Sequence, residues 1–245
     1  MSHDLPDWGA LSAVTTIAEI TDLGELAARL GSIDTHDRRG DVIFLEDFSS
    51  GLRRHETFGS GTGNTVSLST ITARNGLLSA RLVAGSDAGR NASIRGGGPF
   101  PVLGNLGLEF SFSIAGLTDG VELDIDLFDG INQWAFQIVY DATNQLLKYT
   151  NSSGGSTTLA SGVYLVEGEI VFHVIKLVFD AANKQFVRLV VDNRVYSMAA
   201  IGAFLVGGAA ASWLRFEIFN VGRATFNDVV YIDDVIFTQN EPALV

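Results

Sequence analysis

The sequence predicts an all-β fold, an antiparallel β-sandwich preceded by an N-terminal arm and one short α-helix, and three observations carry that expectation. Composition is the first: 27 glycines, 16 phenylalanines and only 18% charged residues in 245 positions suit many short strands joined by tight turns. The second is the stretch over residues 170–198. There two apolar runs rich in β-branched and aromatic residues flank the turn Asp180-Ala-Ala-Asn183-Lys184, and Asp192-Asn193 turns the chain again, which reads as a meander. The third is period-two alternation, cleanest at residues 106–114. Leu106, Leu108, Phe110, Phe112 and Ile114 share one face of that strand, and Glu109, Ser111 and Ser113 the other, which is expected to be wet.

Taken in order, residues 1–40 read as an arm and residues 41–245 as one sandwich, since this length leaves no room for a second domain of similar size. Within the arm, Pro6 and Trp8 have no local periodicity to bury them. Trp8 needs a pocket, on its own sandwich or on a neighbouring subunit. Asp22-Leu-Gly-Glu25 has capping-box spacing, Leu23, Leu26, Ala27 and Leu30 form an apolar stripe, and Gly31 suits a left-handed stop. Together they predict a helix over about 22–30. Arg39-Gly40-Asp41 belongs to a polar turn before the first strand. Strands are then expected at 42–48, 65–69, 77–83, 92–95, 106–114, 121–128, 133–140, 145–149 and 156–159, followed by the meander, 214–219 and 229–237. The glycine runs at 59–63 and 96–98 lack a following helix or lysine and are expected as flexible loops. The apolar stretch 199–213, with Phe204, Leu205 and Trp213, reads either as a subunit interface or as a loop capping the core.

Charge and cysteine usage exclude several function classes. A net charge of −12 repels phosphate backbones, so nucleic acid is not an expected partner. With no cysteine there is no disulfide framework, thiol nucleophile or Cys-ligated zinc. The first residues carry acids where an export signal carries Lys or Arg, so no signal peptide is expected, and glycines break the longest uncharged run, so neither is membrane insertion. Histidines 3, 36, 55 and 173 have no metal or triad spacing, and His173 is expected to be packed within a strand.

Three groups could carry chemistry. Glu122, Asp124 and Asp126 alternate along one strand, so their carboxylates share a face, either as a solvated surface or as a site. The run resembles the Glu-x-Asp-x-Glu signature of lichenase-type glycoside hydrolases, with an Asp one methylene shorter in the last place. That resemblance implies Glu122 as nucleophile, Asp126 as acid and Asp124 tuning them. Glu46-Asp47-Phe48 and Tyr231-Ile-Asp233-Asp234 mark the first and last core strands. They resemble carbohydrate-binding jelly-roll modules, whose chain ends pair around a structural calcium, which implies Glu46, Asp47, Asp233 and Asp234 as oxygen ligands. Trp134 with Asn132 and Gln137 offers an aromatic and two amides for a sugar, although Trp134 also shares its face with Phe136, Ile138 and Tyr140, as a core residue would.

Residues 188–197, RLVVDNRVYS, resemble the concanavalin A-like lectin and laminin-G-like sandwiches. The Asp-Leu-Pro-Asp-Trp8 arm, the capped helix and the RRGDVIFLEDF junction resemble accessory virion proteins of tailed bacteriophages, which decorate capsids or sit on tails. This implies a non-enzymatic virion protein, made in the host cytoplasm, that forms a homo-oligomer through Pro6, Trp8, Phe204, Leu205 and Trp213, meets a major capsid or tail protein and touches cell-surface glycans. A carbohydrate-binding module or lectin, extracellular, and a glycoside hydrolase-like protein using Glu122 and Asp126 are the alternatives.

Overall fold

A computed structural model describes residues 36–243, except 38, 88, 90, 100–102, 117 and 209–211. The expected helix over 22–30 and the arm residues Pro6 and Trp8 lie outside the described residues. Within them no helix occurs, and the strands are β1 (Asp41–Glu46), β2 (Glu56–Gly59), β3 (Thr65–Ser69), β4 (Ser79–Val83), β5 (Asn91–Pro99), β6 (Asn105–Ile114), β7 (Gly120–Asp129), β8 (Asn132–Asp141), β9 (Leu146–Thr150), β10 (Ser156–Ser161), β11 (His173–Asp180), β12 (Gln185–Val191), β13 (Arg194–Ser197), β14 (Phe204–Gly208), β15 (Ser212–Val221) and β16 (Val229–Gln239).

They form two antiparallel sheets. The first runs β13-β12-β11-β6-β16-β4-β3, with β1 also on β16; the second runs β10-β9-β8-β7-β15-β5-β2, with β14 also on β8. Alternation places Leu106, Leu108, Phe110, Phe112 and Ile114 of β6, and Val121, Leu123, Ile125 and Leu127 of β7, in the core between the sheets. Phe136 meets Phe179 across this core at 4.5 Å between ring centroids. The meander forms as expected: β11 pairs β12, with Lys184 at φ 57° in the first turn and Asp192 at φ 49° in the second.

One expectation fails in an informative way. The polar face of β6 is dry, with Glu109 1% exposed and Ser111 and Ser113 fully buried. The chain itself covers this face. Glu109 accepts from the backbone N–H groups of His36 (2.6 Å) and Asp37 (3.2 Å). The fully buried Lys176 of β11 binds Glu241 at 2.6 Å and donates to the carbonyls of Asp37 and Arg39, while Arg188 of β12 pairs with Glu241 at 2.5 Å. His36, Asp37 and Arg39, expected at the end of the arm, are therefore strapped onto the outer face of the first sheet. Burial raises the pKa of Asp37, but the hydrogen bond from Arg39 and the charge of Lys176 outweigh it and hold the carboxyl down at about 2.

Candidate carbohydrate-binding face

The outer face of the second sheet gathers polar side chains from adjacent strands. On β7, Glu122, Asp124 and Asp126 point outward while Leu123, Ile125 and Leu127 point inward, as their spacing predicts. Register supplies their partners. Asp124 lies opposite Glu217 of β15 and Gln137 of β8, Asp126 opposite Arg215, and Phe128 opposite Trp213 and Gln133. Next along the sheet, Arg95 of β5 lies opposite Glu217 on one side and Glu56 of β2 on the other.

These groups form a hydrogen-bonded lattice. Arg215 Nε donates to Asp126 Oδ2 at 2.9 Å, and Gln133 Nε2 to Asp126 Oδ1 at 2.9 Å. Arg95 grips Glu217 through Nε at 2.8 Å and Nη2 at 2.7 Å, and Ser93 Oγ donates to the other oxygen of Glu217 at 2.6 Å. Gln137 donates to Glu122 at 2.5 Å and accepts from the Thr150 hydroxyl. Asp124 stands out, because its Oδ1 is buried without a hydrogen-bond partner. Burial, followed by the charges of Glu122 and Asp126, pushes its pKa well above the usual carboxylate range, and burial raises that of Glu122 too.

The aromatic part of this face is a pair. Trp213 and Phe128 stack with centroids 4.7 Å apart and planes 11° off parallel, and the Arg215 guanidinium lies 5.7 Å and 5.6 Å from the two rings. Beside Trp213 opens a cavity of about 470 Å³, lined by Arg53, Arg54, His55, Glu56, Arg95 and the backbone of 96–98. The glycines at 96–98 lie in β5, not in the expected flexible loop. A Cβ on Gly96 would sit 2.5 Å from the Phe216 ring, and one on Gly97 2.7 Å from the Leu214 carbonyl, so close strand packing requires them.

The residues singled out from the sequence are distributed unevenly. Glu122, Asp124 and Asp126 do share a recessed polar face. Glu122 and Asp126 are four residues apart on a regular strand, about 13 Å, whereas a retaining carboxylate pair spans about 5 Å. Asp124 and Glu217 are the carboxylates placed opposite one another, at a spacing of about 5 Å between Cβ atoms. Of the expected sugar platform, only Gln137 points outward. Trp134 packs against the core and donates Nε1–H to Asp129 at 3.1 Å, and Asn132 falls on the same inward side by period two. Leu205 is exposed on β14, and Phe204 packs beside Gly154, but Trp213 belongs to the polar face rather than to one apolar patch with them.

The four expected calcium ligands are held by protein donors. Asp233 accepts from the backbone N–H groups of Arg74 (2.7 Å), Asn75 (3.1 Å) and Asp234 (2.9 Å), Asp234 from the Asn75 side chain (2.6 Å), Glu46 from Phe48 N–H (2.9 Å), and Asp47 from Ser49. Among the described residues no group of three or more His, Cys, Asp or Glu side chains is disposed to hold a metal ion. His173 is packed as expected, bonded to Asp192 at 2.8 Å and to the Val166 carbonyl at 3.0 Å.

The sequence matches no protein family and no curated protein. Among solved structures the chain is similar to the cellulose induced protein Cip1, with a TM-score of 0.56 and 15% identity over 82% of this chain and 100% of that one. It is similar to the carbohydrate esterase vb_24B_21 of the Shiga toxin-encoding bacteriophage phi24B, with a TM-score of 0.55 and 14% identity over 81% and 98%. It is also similar to a Bacillus subtilis protein with a galectin-like fold, with a TM-score of 0.52 and 11% identity over 82% and 97%. What the chain has in common with all three is the fold, an antiparallel two-sheet sandwich.

Proposed function

We propose that the protein binds carbohydrate on the outer face of its second sheet. The observation that carries this reading is the stacked Trp213 and Phe128 pair standing beside Gln133, Gln137, Arg215 and the carboxylates of β7, because a sugar presents an apolar ring face to an aromatic and its hydroxyls to amides and carboxylates. The galectin-like fold of a structural neighbour supports it. In this reading Trp213 and Gln137 contact the glycan, while Asp126 and Glu217 are held in place by Arg215 and Arg95.

A second reading is catalytic, and Asp124 favours it. A carboxyl group whose pKa burial and the neighbouring carboxylates raise, opposite Glu217 on a sugar-facing surface, is suited to act as a general acid. The likeness to a carbohydrate esterase supports an enzyme of this general kind. One experiment separates the two. On a glycan array, Trp213→Ala and Gln137→Ala are expected to weaken binding about tenfold or more with an unchanged melting temperature, and the bound glycans to be recovered intact. Cleavage that disappears in Asp124→Asn would establish the catalytic reading instead, and array binding indifferent to both substitutions would end the binding one.

We further propose that residues 1–35 attach the sandwich to an assembly, as in an accessory virion protein carried as a homo-oligomer on a capsid or tail. The likeness to a bacteriophage-encoded protein supports this setting.

A further inference from the structure

The cavity beside Trp213 differs in charge from the rest of this acidic chain, which carries a net charge of −12. Three arginines and a histidine line it, with Glu56 as its one acidic wall. Their commitments differ. Arg95 is neutralised by Glu217 and stacks on Phe58 at 4.1 Å. Arg54 lies 4.5 Å over Phe44, donates to the Leu45 carbonyl at 3.1 Å and stands 3.7 Å from Glu46. Arg53 is exposed and has no acidic partner among the described residues. The His55 side chain is buried, with Nε2 3.6 Å from Glu46 Oε2 and neither ring nitrogen within hydrogen-bond geometry of a partner among the described residues.

The floor and the neighbouring face complete the arrangement. β2 pairs with β5 from Glu56, opposite Arg95, to Gly59, opposite Ala92, so 96–98 have no β2 neighbour and turn an unpaired strand edge to the cavity. Glycine at 97 and 98 leaves that edge uncovered by side chains. Trp213 forms the wall shared with the polar face, so one ring bound there would have its edge within the arginine cluster. Toward the middle of the sheet, Asp126 and Glu217 are paired to arginines, so little bare negative charge opposes an anion approaching from that side.

We infer that this cavity is a subsite for a sugar bearing a carboxylate, a uronic acid residue whose ring lies against Trp213 and whose carboxylate is met by Arg53 and Arg54, with an N–H of 96–98 that β5 turns away from β15 donating to a remaining oxygen. A guanidinium matches a carboxylate in plane and in donor spacing, which a neutral hexose would not exploit. This rests on the carbohydrate-binding reading and deepens it by naming the substrate class.

The test is calorimetry on the full chain with three probes: an oligogalacturonate, the same oligosaccharide with its carboxyl groups reduced to alcohols, and inorganic sulfate. Oligogalacturonate is expected to bind at least about tenfold more tightly than its reduced form. The double variant Arg53→Ala, Arg54→Ala is expected to erase that difference while leaving the reduced form bound as before. Both arginines are surface residues, and an unchanged melting temperature verifies folding. Equal affinity for the two oligosaccharides, or equal loss of both in the variant, overturns the uronate subsite and leaves the glycan reading standing. Sulfate binding as tightly as oligogalacturonate overturns it as well, by showing a site for any anion. No binding of either oligosaccharide overturns the uronate subsite and leaves the glycan reading to the array.

Discussion

Asp233 and Asp234 sit side by side at full burial where β16 changes neighbours, paired with β4 up to Ile232 and with β1 from Val235 onward. Asp234 takes φ 49° there, and the register on β6 shifts between Asp233 and Ile236, so the strand bulges at this pair. Burial is the first cause of their raised pKa values, about 6 for Asp233 and about 7 for Asp234, and for Asp234 the charge of Asp233 is the next. The sign follows from linkage. An unfolded Asp releases its proton at about pH 4, whereas the folded pair holds its protons to about 6 and 7. The folded state thus binds more protons across that window, and stability falls as pH rises through it, with each carboxyl group contributing a loss of up to about 1.4 kcal/mol for every tenfold drop in proton concentration. The melting temperature is expected to be lower at pH 8 than at pH 5, and Asp234→Asn to raise it at pH 8 more than at pH 5. A flat profile, with no pH-dependent gain in the variant, would show that the pair does not set acid–base stability.

At the scale of elements, the buried ionic strap over the first sheet is the feature most exposed to test. Glu241 binds Lys176 and Arg188, both without exposed surface, and Thr238 donates to it at 2.6 Å. Removing it takes the nearest carboxylate from two buried cations and leaves them only Asp37, at 3.5 and 3.6 Å, so Glu241→Ala is expected to cost about 3–5 kcal/mol in denaturant unfolding. A cost below about 1 kcal/mol, the range of a surface pair, would mean that water reaches the site. Most strands were legible in the sequence because alternation and β-branched runs report a half-buried surface directly, as in 65–69 and 185–191. Those that escaped are β2, four exposed residues after a charged turn, and β14, an edge strand interrupted by glycine; neither has a face that burial would pattern. The Glu-x-Asp-x-Asp face was legible for the same reason as the core. Trp213 was not, because its place opposite Phe128 depends on which strands pair, and local sequence carries no record of that. The strap was hidden likewise: Glu109 reads as a solvent-facing charge, and the return of His36, Asp37 and Arg39 and of residues 240–242 is what encloses it together with Lys176 and Arg188.

For the whole molecule, the strap sets where a cut is tolerated. Deleting residues 1–35 leaves His36 and Asp37 on Glu109, whereas deleting 1–40 removes both and uncovers Lys176. The chain from residue 36 is expected to melt as the full chain does and to keep its glycan affinity, and the chain from residue 41 to melt several degrees lower. In the assembly reading both lose the oligomer in sedimentation; an oligomer that persists without residues 1–35 would move the contact to the sandwich.

The strap also fixes where the described chain enters the sandwich. The polypeptide joins the sandwich at His36 on the back of one sheet, and the aromatic pair with its arginine cavity opens on the front of the other. Were copies held together by their leading segments, weak single contacts with a polymer of repeating sugars would add up through effective concentration rather than through tighter individual sites.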